Sequence, residues 1–436
     1  MTSELLPYPE YKDSGMPWLG PIPAHWDIRR LKWVCRLAYG DSLTADTRNH
    51  GGVAVYGSNG PVGYHNHANT NGPCVVIGRK GSFGKVRFSR DPVFAIDTTY
   101  FVDDRFTSSH IPWLYYALSW AQLDDTSRDS AVPGLDRYEA YTRVLPLPSL
   151  DEQKAIAGYL DAMSVKINRF IRNRRRLIEV LNEQKQAIIN RAVTRGLDPN
   201  VPLKPSGVDW IGNIPEHWEV QRLKWLANIK TGGRDTIHRQ DEGAYPFFVR
   251  SQTVERIDTY SFDGEAVLTA GDGAGVAKVF HYINGKFDYH QRVYKFSDFR
   301  RVLGKFFFHY FSVTLRFEAF RETAKSTVDS LRLPMLKDFP VVIPPLQEQK
   351  AIIAYVESQT RGLDQSIAHI RREIDLIREY RTRLIADVVT GKVDVRSLAP
   401  AEPPVDDELL DEAFDDEEML ADDESELVGE AADADD

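Results

Sequence analysis

Two long stretches of the chain carry apolar residues in steps of three and four. One runs from Asp151 to about Val193 without a proline, and the other runs from Gln347 to Val389. This spacing places the apolar residues on a narrow stripe of an α-helix and, sustained over about six heptads, is typical of a coiled-coil seam. A helix of about 43 residues would be roughly 65 Å long.

A single helix of this kind would leave its apolar stripe exposed. Because the chain has two, each after a segment of mixed pattern, we expect the helices to pair with each other in an antiparallel coiled coil. Such a pair would place one globular segment at each end of a rod. The alternative, in which each helix packs only on its own globular segment, remains open from the sequence.

The segments before the long helices combine strand and helix signals. Apolar, β-branched runs such as PCVVIGRKG, DPVFAID and EAVLTAG are bounded by turn residues and predict strands. IPWLYYALSW and LGKFFFHYFSVTLRF have the length and periodicity of helices. The predicted fold class is therefore α/β in the broad, mixed α+β sense, with two tandem globules separated by the two long helices.

The chain contains an internal repeat of nearly 200 residues. An opening motif at Trp18–Trp33, WLGPIPAHWDIRRLKW, returns at Trp210–Trp225 as WIGNIPEHWEVQRLKW. A closing motif at Ala192–Asp198, AVTRGLD, returns at Val388–Asp394 as VVTGKVD. The spacing between copies changes only from 192 to 196 residues, which excludes short solenoid or propeller repeats and predicts a pseudo-two-fold duplication.

The opening motif is rich in tryptophan and proline. Alone, it would be compatible with a binding motif such as an aromatic cage. Because it is duplicated with its surroundings, we interpret it as the fixed entrance to each globule. We expect three of its side chains to pack on the core of the globule or on the neighbouring helix end: Trp18, Trp26 and Trp33.

Charge is distributed unevenly. The formal net charge is −10, yet residues 401–436 contain 18 Asp and Glu and no Lys or Arg. The remaining 46 acidic residues are outnumbered by 54 basic ones, so residues 1–400 carry +8. A basic body favours a nucleic-acid partner, and a block of like charges predicts a disordered tail.

Several protein classes are disfavoured. Two cysteines, Cys35 and Cys74, cannot form a disulfide framework, and no Cys/His cluster has zinc spacing. No apolar run reaches 18 residues, and the first residues lack the basic start and apolar stretch of a signal peptide. These features predict a cytoplasmic protein whose cysteines are small buried hydrophobic residues.

Catalytic motifs are also missing from the sequence. Gly78–Val86, GRKGSFGKV, fails the phosphate-loop pattern because Val86 follows Lys85 where Ser or Thr is required. The Asn/Asp-Pro-Pro-aromatic motif of amino-methyltransferases and the His-Glu-x-x-His metal motif do not occur. We therefore predict a non-catalytic chain without a metal site or catalytic residues.

Turn-rich basic loops in both mixed segments are candidates for DNA contact. Glycines let backbone amides approach phosphates, and Arg or Asn side chains can read base edges in the major groove. The loops differ between the two repeats while the frame is kept, which is what reading two different half-sites requires. The candidate DNA-binding residues are Ser58, Asn59, Arg79, Lys80, Ser82, Lys85 and Arg87, and in the second repeat Arg250, Gln252, Lys278, Gln291 and Arg292.

These motifs, in fixed order and given twice between about Asp13 and Arg396, resemble the specificity subunit of type I restriction-modification systems. The resemblance implies two target-recognition domains that each read one half of a bipartite double-stranded DNA site. It also implies that the helix pair sets the unread spacer and docks two modification (methyltransferase) subunits. Restriction subunits, which act as ATP-dependent translocase and nuclease, would join the complex; S-adenosylmethionine, ATP and Mg would be held by partner subunits.

The resulting domain boundaries are predictions. They comprise a first recognition domain (1–150), a first conserved helix (151–196), a linker (197–208), a second recognition domain (209–345), a second conserved helix (346–396) and an acidic tail (397–436). Two alternatives remain open: a coiled-coil scaffold with two protein-binding domains, and a standalone DNA-modifying enzyme.

Overall fold

The computed structural model describes residues 6–48, 51–126, 134–319 and 330–398. Contacts divide the chain into two compact units. The first unit holds the described residues up to Arg174 and those from Arg372 onward, and the second unit holds the described residues between Arg175 and Arg371. Apart from its first two residues, the predicted acidic tail lies outside the described part of the chain.

The first unit begins with small strands and ends its globular part at the long helix α4. Its strands are β1 (Tyr11–Asp13), β2 (Pro21–Pro23), β3 (Asp27–Arg30), β4 (Ala38–Tyr39), β5 (Val53–Gly57), β6 (Gly60–His65), β7 (Cys74–Gly78), β8 (Val86–Ser89), β9 (Phe94–Ala95), β10 (Thr99–Val102) and β11 (Val144–Leu147). Its helices are α1 (Leu31–Val34), α2 (Ile111–Trp120), α3 (Arg137–Ala140) and the first part of α4 (Leu150–Arg195).

The second unit repeats this order after the end of α4. Its strands are β12 (Leu203–Pro205), β13 (Asn213–Pro215), β14 (Glu219–Arg222), β15 (Asn228–Thr231), β16 (Tyr245–Phe248), β17 (Glu255–Ile257), β18 (Phe262–Ala270), β19 (Phe280–Tyr289), β20 (Val293–Ser297) and β21 (Pro340–Ile343). Its helices are α5 (Gly304–Ala319), α6 (Leu333–Asp338) and the first part of α7 (Leu346–Val389).

The central sheets of the two units have the same antiparallel strand order. It is β4-β10-β7-β8 in the first unit and β15-β20-β18-β19 in the second. In the first unit β5 and β9 pair in parallel within a separate three-stranded sheet, β6-β5-β9, whereas in the second unit β16 pairs in parallel with β19 and extends the same sheet to six strands. The duplicated mixed α+β architecture predicted from the sequence is therefore confirmed.

The two long helices run antiparallel in each unit. In the first unit Arg174 of α4 contacts Glu373 of α7 at 3.0 Å, and in the second unit Lys185 of α4 contacts Asp364 of α7 at 2.6 Å. The predicted apolar stripes are buried at the helix ends, where they also enter the cores of the globules. Helix pairing and packing on a globule, which the sequence left as alternatives, thus both occur.

Each core takes its closing motif from the other repeat. In the first unit Gly391 adopts φ +74° against Pro23 and Trp26, with no room for a Cβ. In the second unit Gly196 adopts φ +77° beside Trp218. The opening motif of one repeat therefore packs on the closing motif of the other, since α4 and α7 each contribute to both units.

The repeated Glu-Gln at the start of each long helix clasps the opening motif. In the first unit Glu152 accepts hydrogen bonds from Trp26 Nε1 at 3.3 Å and from Ser149, and it contacts His25 Nε2 at 2.8 Å. Its neighbour Gln153 accepts from the backbone N–H of His110 at 2.8 Å. These bonds tie the turn between β2 and β3, and the start of α2, to the first turn of α4.

The second unit repeats the clasp. Glu348 accepts from Trp218 Nε1 at 2.8 Å and contacts His217 at 2.6 Å, while Gln349 accepts from the backbone N–H of Leu303 at 2.8 Å. The duplicated motif is thus explained by a duplicated structural contact.

The expectation for the three tryptophans is only partly correct. Trp26 is fully buried. Trp18 stacks on Trp120 with ring centroids 5.8 Å apart but remains mostly exposed. Trp33 is 73% exposed, so the prediction that it packs on the core is wrong. The short helix α1 buries Leu31 and Val34 instead, and residue 33 consequently faces outward.

We expect Glu152→Ala to destabilise the first unit by about 2–3 kcal/mol, because it leaves the buried Trp26 N–H without its acceptor. Denaturant unfolding of the full chain measures this loss. Lys154→Ala, on the same helical turn but exposed, is the control and should change stability by less than about 0.5 kcal/mol. Equal stability of the two variants would contradict a structural role for the clasp.

Candidate nucleic-acid interface

Three loops of the first unit converge at one edge of its sheet. This first loop cluster comprises residues 57–60 between β5 and β6, 79–85 between β7 and β8, and 96–98 before β10. The hydroxyl of Ser58 donates to the carbonyl of Thr98 at 2.6 Å, and the backbone N–H of Arg79 donates to the same carbonyl at 2.8 Å. The loops are therefore held together by their own backbones.

Arg79 is the most constrained cation of the first loop cluster. Its Nε and Nη2 donate to the carbonyl of Asp97 at 3.1 and 2.6 Å, and its guanidinium lies 5.3 Å from the ring centroid of Tyr39. Arg137 covers Tyr39 at 4.8 Å. An exposed tyrosine between two guanidinium groups forms a flat, positively charged surface suited to bases or phosphates.

The other candidates of the first unit divide by exposure. Asn59 and Lys80 are exposed, and Ser82 and Lys85 are half-buried. Arg87 is only 5% exposed, and its Nη2 donates to the carbonyl of Asn59 at 3.2 Å. It therefore supports the 57–60 turn and offers little side-chain surface to a ligand.

The second loop cluster occupies the same place in the second unit. It comprises residues 249–254 after β16, 271–279 between β18 and β19, and 290–292 before β20. Asp272 pairs with two predicted cations, contacting Arg250 Nη1 at 3.1 Å and Arg292 Nη1 at 3.3 Å. Gln291 donates to Asp235 at 2.9 Å. The structure thus brings Arg250, Gln291 and Arg292 together.

Gln252 and Lys278 lie in the flanking loops of this cluster, and both are exposed. The segment that carries Gln252 is anchored because the carbonyl of Ser251 is 3.0 Å from Nε2 of buried His281. Burial lowers the pKa of His281, so its ring is neutral at pH 7 and donates to this carbonyl. The backbone N–H of Lys278 donates to the carbonyl of Gly275 at 3.1 Å, within the same loop.

The 290–292 turn has a defined electrostatic setting. His290 is buried, and burial lowers its pKa below the usual range despite Asp235 at 3.9 Å. Its Nδ1 accepts from the backbone N–H of Arg292 at 3.0 Å. The hydroxyl of Thr236 lowers the pKa of the Asp235 carboxyl, which is therefore ionised at pH 7. A neutral histidine and an ionised aspartate thus orient the turn.

The backbone frames of the two clusters match bond for bond. Ile96 donates to the carbonyl of Tyr56 in the first unit, as His290 donates to Phe248 in the second. An isolated bridge joins Lys80 to Gly134, as another joins Asp272 to Ser330. Asp272 therefore stands where the first unit has Lys80. The same scaffold carries side chains of opposite charge at this position.

Sequence reasoning missed the residues that position the predicted cations. Tyr39 and Arg137 lie far along the chain from the first basic loop, and Asp235 and Asp272 are acidic, which a search for basic residues passes over. Asp272 lies in the Gly-rich loop between β18 and β19 that also carries Lys278. The duplicated frame was the signal that could have found it.

Among the described residues, no group of three or more His, Cys, Asp or Glu side chains is arranged to hold a metal ion. No helix within the described ranges is long and apolar enough to cross a membrane. Cys35 and Cys74 are free and buried.

Family models and individual relatives both match this chain to the same protein family. The family model described as type I restriction modification DNA specificity domain matches twice, at residues 23–180 and 215–376. The chain is 25% identical over 314 residues to the type I restriction enzyme MjaVIII specificity subunit of Methanocaldococcus jannaschii, covering 66% of this chain and 71% of that protein. It is 26% identical over 183 residues to the EcoDI specificity subunit of Escherichia coli, covering 42% and 40% respectively.

The fold is also similar to a solved structure. The present chain aligns with a chain from a structural study of the complex assembly and conformational transition of the type I R-M system. The TM-score is 0.55 and the sequence identity is 14%. The alignment covers 85% of the present chain and 99% of the other. At this identity the likeness concerns the fold alone.

Proposed function

The chain belongs to the family of type I restriction modification DNA specificity proteins, and on that premise we propose that its two units each read one half of a bipartite DNA site. The observation that carries this proposal is the pair of loop clusters, in which one backbone frame presents different side chains. Phosphate contacts position a protein on DNA, whereas contacts to base edges specify sequence. Two frames with different side chains suit two different half-sites.

The chemistry of the clusters favours DNA over a protein partner. The first cluster presents Arg79 and Lys80 beside Tyr39, and the second presents Arg292, Gln291 and Lys278. Arg and Gln are the residues that read guanine and adenine bidentately, and Lys is suited to phosphates. The alternative function is a scaffold with two protein-binding globules. Such a scaffold would not need arginine and glutamine side chains next to exposed lysines.

The long helices are proposed to set the spacer and to dock two modification subunits. Antiparallel pairing of α4 and α7 gives each unit a rigid base for its recognition loops. Both helices also expose large apolar side chains, which are typical of surfaces that bind another protein. These residues include Leu177, Val180, Leu376 and Tyr380.

We propose that the chain itself is non-catalytic and carries no cofactor. S-adenosylmethionine is expected on the modification subunits, and ATP and Mg on the restriction subunits. Methyl transfer by the purified chain alone would instead favour a standalone enzyme.

The proposal predicts that the complex of this chain with its modification subunits enriches one bipartite sequence from a random double-stranded DNA library. Sequencing of the bound fraction at physiological salt measures this enrichment, because non-specific binding is weakened by salt. Mapping of methylated adenines in the host genome should return the same motif. Bound DNA without any enriched sequence would favour the protein-binding scaffold.

A further inference from the structure

We infer that Arg292 reads a guanine in the second half-site and that Asp272 is the positioning residue for this reading. The inference rests on the proposed function and adds the identity of one base and the side chain that fixes it. Its basis is the contact of Asp272 with both Arg250 and Arg292.

The three side chains form a bridged arrangement at the surface. Asp272 Oδ1 contacts Arg250, and Oδ2 contacts Arg292, so one carboxylate holds both guanidinium groups. The side chains of Arg250 and Asp272 are 22% and 25% exposed, whereas that of Arg292 is 55% exposed. Arg292 is therefore the more accessible of the two arginine side chains that Asp272 contacts.

The loop that carries Asp272 is attached to the 290–292 turn through the backbone. Gly271 donates its N–H to the carbonyl of Arg292 at 2.8 Å and accepts from Leu331 at 2.7 Å. A Cβ at Gly271 would lie 2.8 Å from the carbonyl of Arg292, so a side chain there would force this contact to shift. The separation of Asp272 and Arg292 is thus set by main-chain contacts rather than by side-chain flexibility.

This arrangement favours a base edge over a phosphate. Asp272 lies 3.3 Å from Nη1 of Arg292, and because a guanidinium has five N–H donors, others remain for a ligand. A nearby carboxylate repels a phosphate but not the neutral O6 and N7 acceptors of guanine, which arginine binds bidentately. A guanidinium held in one orientation before binding also loses less side-chain entropy.

The first unit lacks this device. Its frame has Lys80 in place of Asp272 and, at the turn before the equivalent strand, Thr98 in place of Arg292. The Asp272–Arg292 arrangement is therefore specific to the second unit, and changes to it should leave the first half-site untouched.

The test compares four versions of the complex with modification subunits in the random-library experiment: wild type, Arg292→Lys, Asp272→Asn and Lys278→Ala. The wild type should select an invariant guanine in the second half-site. Arg292→Lys keeps the charge but loses the fork, and the preference for that guanine should fall by roughly 5- to 100-fold. Asp272→Asn should reduce the preference at the same position only.

Lys278→Ala is the control variant, because it removes a charge that we expect to contact a phosphate and not a base. It should weaken binding to all sequences alike and reduce the salt dependence by about 0.9 in the slope of log affinity against log salt, with the consensus unchanged. Thermal melting verifies that each variant is folded, and Arg292→Lys tests the reading even if Asp272→Asn does not fold.

The inference is overturned if the second half-site contains no invariant guanine, or if folded Arg292→Lys leaves base preference unchanged at every position. An intact bipartite consensus in those cases would leave the proposed function standing. A wild-type complex that enriches no sequence would contradict both the inference about Arg292 and the proposed function.

Discussion

Exchange of residues 210–345 for the corresponding segment of another family member changes one half of the recognised sequence and leaves the other half intact. The fold supports this exchange because strands near the two ends of the segment pair with each other: β14 pairs with β21 from Glu219–Ile343 to Arg222–Pro340. All three loops of the second cluster lie inside the segment. The measurement is the enriched library motif of the hybrid complex, and the expected effect is a complete replacement of one half-site.

The exchange has a structural condition that the sequence did not reveal. Residues 217 and 218 lie inside the segment but contact Glu348 outside it. The incoming segment must therefore carry the His-Trp pair, or the junction must be moved to Glu219. A hybrid that meets this condition and yet changes both half-sites would contradict independent reading by the two units.

Replacement of Arg79 and Lys80 by alanine should weaken DNA binding at 0.15 M salt by on the order of 10- to 30-fold, if both cations contact phosphates. The slope of log affinity against log salt should decrease in magnitude by about 1.8. Arg79 also stacks on Tyr39 and bonds to the carbonyl of Asp97, so part of the loss would come from a less ordered loop. Binding titrations of the complex at several salt concentrations measure both quantities.

Single variants separate the two contributions. Lys80→Ala removes an exposed charge and should account mainly for the change in salt dependence, whereas Arg79→Ala should also alter base preference. Lys12→Ala, an exposed lysine on β1 away from the loops, is the matched control and should bind as the wild type does. Unaltered affinity of the double variant at physiological salt would remove the 79–85 loop from the contact surface.

Local patterns were sufficient for the large elements of the fold. The steps of three and four predicted helices that the structure places at Leu150–Arg195 and Leu346–Val389, and strand signals such as EAVLTAG coincide with β18. These signals are strong because burial of one helix face or one strand face is encoded at fixed short spacing. The repeat, found by comparison of the chain with itself, predicted the duplicated frame.

Single side chains at the candidate interface could not be assigned in this way. Arg87 was predicted as a DNA contact on its charge, yet it is buried under the 57–60 turn. Asp272 was passed over because it is acidic, yet it holds Arg250 and Arg292. Exposure and pairing depend on residues tens of positions away, and no local pattern reports them. The base-contacting role of the candidates accordingly stays a prediction.

The sequence by itself determined that this protein has two similar globules, two long helices and a basic body, because periodicity, repetition and composition are properties of the chain. Only the tertiary structure decided how these parts combine. The long helices run past the limits of one repeat, so Gly391 packs on Trp26 and Gly196 packs on Trp218. Each core is completed by the other repeat, since an antiparallel helix pair brings the end of one helix to the start of its partner.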